Sequence, residues 1–351
     1  MNQENITLHL AASAPVKTQW RRLLEQFNGN IFHSIEWAET CRSNHVNPLF
    51  FNWLDSSGRT VGIAVGIASR SPVRYLGRFS KRLNFESYPA VKNNDADLAR
   101  SMIRQLVAFA KDGGYRSLTI QSYFANVPIP DMAQLGFVTT SRIEFILDLT
   151  RTEEELWNRL SGHHQRKIKK AQKHDLLFEE ACSVEAMEQL RKLQAATREK
   201  RNRRGEHMDM LDSAQYEELG KRYFGLNLGK LYLMTNEKQP VSAAFVTMYA
   251  GRALYVYGGS SEKGYEMNAP ALLFWKIFSR CRELGCREFN MGGVTASAVN
   301  SDSLSHGLYR FKAGFGGRQV SCLSGAAENL RPFRGAFLTI AEKGREAWKS
   351  L

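Results

Sequence analysis

The sequence predicts an α/β chain (α+β in its strand pairing) made of two related domains in tandem, each a mixed central sheet flanked by helices. Three observations point there. The 351 residues, 43% apolar and 24% charged, exceed one ordinary domain and are ample for sizeable cores. Strand-length apolar runs alternate with stretches of helical spacing along most of the chain. The third is an internal repeat. Gly114-Tyr-Arg-Ser-Leu-Thr-Ile120 mirrors Gly285-Cys-Arg-Glu-Phe-Asn-Met291, and Met102, Ile103 and Leu106 precede the first copy at the same offset as Leu273, Phe274 and Ile277 precede the second.

In the first half, residues 6–10 alternate as a strand, and 16–27 have helical spacing that ends at Asn28-Gly29-Asn30. Ser34 is suited to N-cap a helix carrying Trp37 and Ala38. Residues 48–54 and 60–68 read as strands joined by a turn at 55–58. Arg70, Arg74, Arg78, Lys81 and Arg82, interleaved with Tyr75, Phe79 and Phe85, read either as a clamp for an anionic ligand or as a solvated loop. Residues 97–111 form a helix stopped by Gly113-Gly114, and 116–121 a strand. A strand at 143–149 closes the first domain, giving domains 1–150 and 151–330, with 331–351 a C-terminal helix packing on the second.

The second half opens on a capping box, Thr152 with Glu155. Residues 163–174 are helical and basic, with Ile168 their one strongly apolar side chain; the face reads as solvated, or as a phosphate grip of Arg166, Lys167 and Lys170. The helix 186–198 runs into a loop at 197–205 where five positive charges fall within seven residues, the best electrostatic candidate for ligand contact. After a helix at 211–224 and a hairpin of 230–234 with 241–249 comes the stretch that organises the chain. Residues 253–257 are a strand stopping at Gly258-Gly259; Asn268 caps a helix with Pro270 in its first turn; Gly285 ends it; and 287–291 is a second strand. Strands joined by such a helix are parallel, which sets the helix N-terminus and its free N–H groups beside the strand ends. A glycine-rich loop at 307–317 carries Lys312, followed by a strand at 318–323 and an amphipathic helix at 332–348.

The net charge of +13 suggests an anionic partner: nucleic acid, a nucleotide-linked substrate or an acidic membrane surface. The five cysteines, Cys41, Cys182, Cys281, Cys286 and Cys322, are widely spread without C-x-x-C or Cys/His ligand spacing, and His163 and His164 lack nearby partners, so neither a metal nor a disulfide framework is expected. No signal peptide or membrane span is read, and the expected setting is cytoplasmic.

Several motifs, in order, are similar to those of the FemAB/FemX aminoacyltransferases and the BioF2-like acetyltransferases, tandem members of the GNAT acyltransferase superfamily. They are Phe32-His-Ser-Ile-Glu-Trp-Ala38, Arg166-Lys-Ile-Lys-Lys-Ala171, Thr197 with its basic followers, Pro240-Val-Ser-Ala-Ala244, Tyr255-Val-Tyr-Gly-Gly-Ser260, Asn290-Met-Gly-Gly293 and Leu308-Tyr-Arg-Phe-Lys-Ala-Gly-Phe-Gly316. The resemblance implies tandem GNAT-like domains and transfer of an acyl or aminoacyl group from an activated carrier to an amine of a cell-envelope precursor or amino sugar. It implies no tightly bound cofactor, with acyl-CoA or aminoacyl-tRNA as donor and a phosphate-bearing amine as acceptor. It assigns the oxyanion-stabilising lysine to Lys312 and acceptor phosphates to Arg201, with Arg203 and Arg204 as alternatives, and to Arg42. Trp37, Arg166, Tyr257, Gly258, Gly259, Asn268, Asn290 and Phe311 become substrate-binding candidates. Glu266, near the helix entrance, is the candidate base, with solvent as its alternative. Where CoA-dependent relatives have a basic residue and spaced glycines, this chain has Tyr265-Glu-Met-Asn-Ala-Pro270, which weakens the CoA reading. The competing expectation is a non-catalytic GNAT-like module binding nucleic acid or another polyanion.

Overall fold

A computed structural model describes residues 6–11, 14–71, 80–124, 131–206, 208–328 and 330. The expected contributions of Arg74, Tyr75, Arg78 and Phe79, and the helix at 332–348, lie outside the described residues. Contacts divide the chain into two units, one of Met1–Ser141 with the chain from Cys322 on, the other of Arg142–Ser321; the boundary expected from sequence lay after Leu149.

The first unit contains β1 (Thr7–Leu10), α1 (Lys17–Gln26), α2 (Ile35–Thr40), β2 (Val46–Leu54), β3 (Thr60–Ser69), β4 (Arg82–Phe85), β5 (Ala90–Val91), α3 (Ala96–Asp112) and β6 (Ser117–Ile120). Next come β7 (Val138–Asp148), α4 (Glu153–Arg159), α5 (Gly162–Ala171), β8 (Leu177–Ala181), α6 (Val184–Asn202), α7 (Ser213–Gly225), β9 (Gly229–Asn236), β10 (Gln239–Tyr249), β11 (Arg252–Ser260), α8 (Glu262–Glu266), α9 (Ala269–Glu283), β12 (Glu288–Thr295), α10 (His306–Ala313) and β13 (Arg318–Ala327).

In the first unit β1, β2, β3 and β4 pair antiparallel in chain order, β4 pairs β6 in parallel, and Gly325–Ala327 of β13 pairs antiparallel with β6. In the second, β8, β9, β10 and β11 pair antiparallel, β11 pairs β12 in parallel, and Arg142–Asp148 of β7 pairs antiparallel with β12. Each repeat's last strand is thus neighboured by the strand that follows the other repeat in the chain. The matched segments fold alike. α3 ends at Gly113-Gly114 and α9 before Gly285, where positive φ of 73° at Gly114 and 80° at Gly285 lets the chain turn into a parallel strand.

Packing follows the periodicity. α3 is capped by Asp95, whose carboxylate accepts from the N–H groups of Asp97 and Leu98, and it buries Ala99, Met102, Ile103, Leu106 and Ala110 on one face. Each larger aliphatic side chain so buried contributes about 1.5 to 3 kcal/mol. Phe85, expected in a basic patch, is core, while Lys81 donates to the Gly113 carbonyl and stands 5.6 Å above the Tyr115 ring.

Five local expectations are corrected. The glycine-rich loop holding Lys312 is the helix α10, because Leu308, Phe311 and Phe315 recur at helical spacing and pack with Phe274, Phe278 and Phe289. Burial of that aromatic face outweighs the weak propensity of the flanking glycines. Residues 199–202 are the last turn of α6 rather than loop, with Lys200 and Arg201 at the negative end of its dipole. β11 continues through Gly258-Gly259 to Ser260. Asn268 precedes α9 but its side chain does not cap it: φ is 57°, and its amide donates to the Glu266 carbonyl instead. Of the first-turn donors expected to be free, Pro270 has no N–H and that of Ala271 bonds the Asn268 carbonyl.

Candidate active site

The parallel pairing of β11 with β12 lasts three residues, Arg252–Leu254 against Glu288–Asn290. Beyond it the strands run on unpaired to each other, opening a crevice at their carboxyl ends, where open sheets with helical crossovers bind ligands. A cavity of about 500 Å³ occupies this crevice, walled by α6, β11, the start of α9 and α10.

Lys312 reaches into it from α10. Its residue is 5% exposed, its ammonium donates to the Gly293 carbonyl at 3.0 Å, and it stands 5.6 Å from the Tyr255 ring centroid. The carbonyl is presented by a bulge in β12: Asn290 faces Ile146 on β7, but Gly293 faces Glu144, so β12 carries one residue more. Gly292 lies in the bulge at φ 70°, its N–H donating to the Asn290 side-chain oxygen at 2.8 Å. Any side chain there would be strained and would begin 3.3 Å from the Lys312 nitrogen.

Behind the lysine, Glu144 is wholly buried, accepting from Arg142 at 2.8 Å and from the Asn290 amide at 2.7 Å. Burial pushes the Lys312 ammonium down to about 7; the Glu144 carboxylate opposes that fall and the Arg201 guanidinium adds to it. Near neutral pH the group is therefore poised between amine and ammonium.

The roof is fixed by α6. The Thr197 hydroxyl accepts from the Ser260 N–H at 2.9 Å, tying helix to strand. A Cβ on Gly259 would lie 2.4 Å from the backbone of Leu193 and Gln194, so this glycine serves the contact of β11 with α6. At the rim Arg201 pairs with Glu206 at 3.6 Å and Lys200 stands 4.0 Å above the Tyr265 ring.

The structure thus brings together Lys312, Arg201, Tyr257, Gly258, Gly259, Asn268 and Phe311 in one cavity wall, with Asn290 buried behind it. The remaining candidates fall elsewhere. Arg166 is exposed on α5, and its neighbour Lys167 lines the cavity instead. Glu266 is exposed and outside the lining, so the position expected for a base is not supported; Glu206 is the carboxylate among the described lining residues. Trp37 is buried in the first unit, edge-on to Phe32 at 5.3 Å, and Arg42 there forks onto Glu39 at 2.8 and 2.9 Å. Such an intact fork leaves fewer donors for a phosphate.

Sequence reasoning passed over Glu144, although an acid inside the apolar run Ile143-Glu-Phe-Ile-Leu147 was its signal. Lys167 was visible but not distinguishable from Arg166 without knowing which face of α5 is buried. Among the described residues no group of three or more His, Cys, Asp or Glu side chains could hold a metal, and no helix is long and apolar enough to cross a membrane.

Residues 226–326 match the family model described as the FemAB family. No curated protein matches the chain in sequence. Among solved structures, that of FemX superposes with a TM-score of 0.70 at 13% identity, covering 92% of this chain and 98% of that one. L-PGS from Bacillus licheniformis gives 0.51 at 16%, covering 94% and 97%, and a tandem GNAT protein from the clavulanic acid biosynthesis pathway gives 0.51 at 10%, covering 92% and 98%. The fold is that of tandem GNAT-like proteins, and the resemblance to the FemAB-like group holds.

Proposed function

We propose that the second unit is an N-acyltransferase that moves an acyl or aminoacyl group from an activated carrier to an amine of a cell-envelope precursor or amino sugar. The observation that carries this reading is Lys312, a buried donor on the floor of the crevice whose proton affinity is tuned to neutral pH. The neutral amine attacks the carbonyl carbon of an ester or thioester, and the carbonyl electron pair moves to oxygen. The Lys312 ammonium has one N–H on Gly293 and others to give; as the oxyanion forms, its charge draws the lysine towards its protonated state. Collapse restores the carbonyl, expels the carrier's oxygen or sulfur, and passes the amine's proton to that leaving group or to solvent.

Glu206 already faces Arg201 and Arg204, so it suits the holding of a cationic rim better than the taking of a proton. The donor arrives as a co-substrate, acyl-CoA or aminoacyl-tRNA. The FemAB match and the superposition on FemX and L-PGS favour an aminoacyl-tRNA donor and a cell-envelope acceptor; a phosphate-bearing acceptor, a cytoplasmic setting and contact with an anionic membrane surface complete the proposal. Turnover of Lys312→Met with both donor classes tests the reading, with circular dichroism to confirm the fold. Loss of transfer with the fold intact supports it, whereas a module that binds polyanions alone would be indifferent.

A further inference from the structure

Beside the Lys312 crevice lies a second cavity of about 470 Å³, walled by the first turn of α5 and by α10. His163, His164, Lys167 and Arg310 line it, and no carboxylate is among its described lining residues. The charges acting on its titratable groups are all positive. Lys167 is held below its usual range by burial and by Arg310, and His163 by burial, Lys167, Arg310 and Arg166. His164 is 2% exposed and is pushed down to about 4 by burial, Lys167 and His163, so near neutral pH it adds no charge beside Lys167 and Arg310. Like charges gathered without a counter-ion oppose folding unless an anion completes them. The first turn of α5 adds the positive end of a helix dipole to these walls, while α10 lines them along its length, from Gly307 to its C-terminal Ala313 and Gly314.

The two cavities adjoin. Lys167, Gly307 and Phe311 line both, and a Cβ on Gly307 would meet no atom within 4 Å, so open space passes over the backbone of α10's first turn. A ligand can therefore rest its anionic end on Lys167 and Arg310 while its reactive end reaches Lys312.

We propose that this second cavity is the subsite for the phosphates of the acyl carrier. The proposal rests on the acyl-transfer reading of the Lys312 crevice. Its chemistry is common to two sources, the pyrophosphate of a nucleotide thioester and the sugar-phosphate end of a charged RNA.

Calorimetric titration at low ionic strength tests it, using inorganic pyrophosphate, coenzyme A and a short single-stranded RNA as probes. The proteins are the wild type, Lys167→Met with Arg310→Met, a control pair of exposed lysines (Lys92→Met with Lys238→Met), and Lys312→Met. The expected result is pyrophosphate binding weakened about tenfold or more in the Lys167/Arg310 variant and by less than about twofold in the control pair. The same loss with coenzyme A identifies a thioester carrier, and with RNA a charged RNA. Equal binding by the Lys167/Arg310 variant and the wild type overturns the subsite, as does an equal loss in the control pair. Turnover of Lys312→Met separates the two readings: if it persists, acyl transfer at Lys312 fails and the carrier role with it, whatever pyrophosphate does. If turnover is lost while pyrophosphate binding is indifferent to Lys167 and Arg310, the subsite alone fails.

Discussion

In the first unit β4 and β6 stay paired over all of Arg82–Phe85 against Ser117–Ile120, whereas in the second β11 and β12 pair over three residues and then run on without pairing. The space beyond the pairs differs accordingly. In the first unit Asn30, His33, Ser87 and Tyr88 line a cavity of about 10 Å³, and their polar groups serve one another: the Asn30 amide donates to Ser87 at 3.0 Å and to the Tyr123 carbonyl at 3.1 Å, and a His33 ring nitrogen bonds the Tyr88 carbonyl at 2.8 Å. In the second, a cavity of about 500 Å³ leaves Lys312 with donors to spare. The same helix, glycine and strand make a closed structural joint in one place and an open crevice in the other. What differs is how far the parallel strands hold together, and whether a bulge admits a lysine between them.

Breaking the open side has the largest effect. Lys312→Met is expected to lower turnover by a factor of a few hundred, about 3 to 4 kcal/mol of transition-state stabilisation, in steady-state kinetics. The same substitution reveals the cost of burying the amine. The folded pKa of about 7 lies below the usual lysine value of 10.5, so the unfolded chain keeps its proton across the interval where the folded protein has lost it. Stability from this group therefore falls as pH drops from 10.5 to 7, and below 7 the cost of the buried ammonium is fully present. Denaturant midpoints at pH 7 and pH 9 should show Lys312→Met gaining more over the wild type at the lower pH, by on the order of 3 kcal/mol.

Glycines sharpen the comparison at the next level. Gly259→Ala drives a methyl against the backbone of α6 and should cost about 2 to 3 kcal/mol in urea unfolding. Gly62→Ala in the first unit meets mainly the end of the Met102 side chain, which can turn aside, and should cost about 1 kcal/mol. On the closed side, Asn30→Ala should remove about 1 to 2 kcal/mol of stability without changing turnover, since it breaks bonds that serve the joint alone. Glu144→Gln is the finest probe. The carboxylate raises the lysine's proton affinity, so its loss should move the alkaline limb of kcat/KM to lower pH; an unmoved limb would detach Glu144 from Lys312.

Much of this was legible before any coordinates. The repeat at Gly114 and Gly285, the capping box at Thr152 and the hairpin of β9 and β10 rest on short-range patterns, and all three stand in the structure. Lys312 could be singled out because it lies among aromatics and glycines. What failed was local reasoning where long-range packing governs. Glycines around Lys312 argued for a loop until Phe311 and Phe315 found Phe274 and Phe278, and the charges after Thr197 argued for a loop until α6 was held against Gly259. Glu266 looked well placed because sequence distance to a helix start says nothing of which way a short helix such as α8 faces.

The sequence by itself determined most of the elements, their order and the doubled architecture, because propensity, capping and periodicity act within a few residues. The tertiary structure alone decided that β11 and β12 part after Leu254 and Asn290. It also decided that Glu144 on β7 stands behind Lys312, a partnership across more than half the second unit's sequence that no local pattern encodes. Proton affinity depends on burial and on charges brought near through space, and those are fixed only when the strands have found their partners.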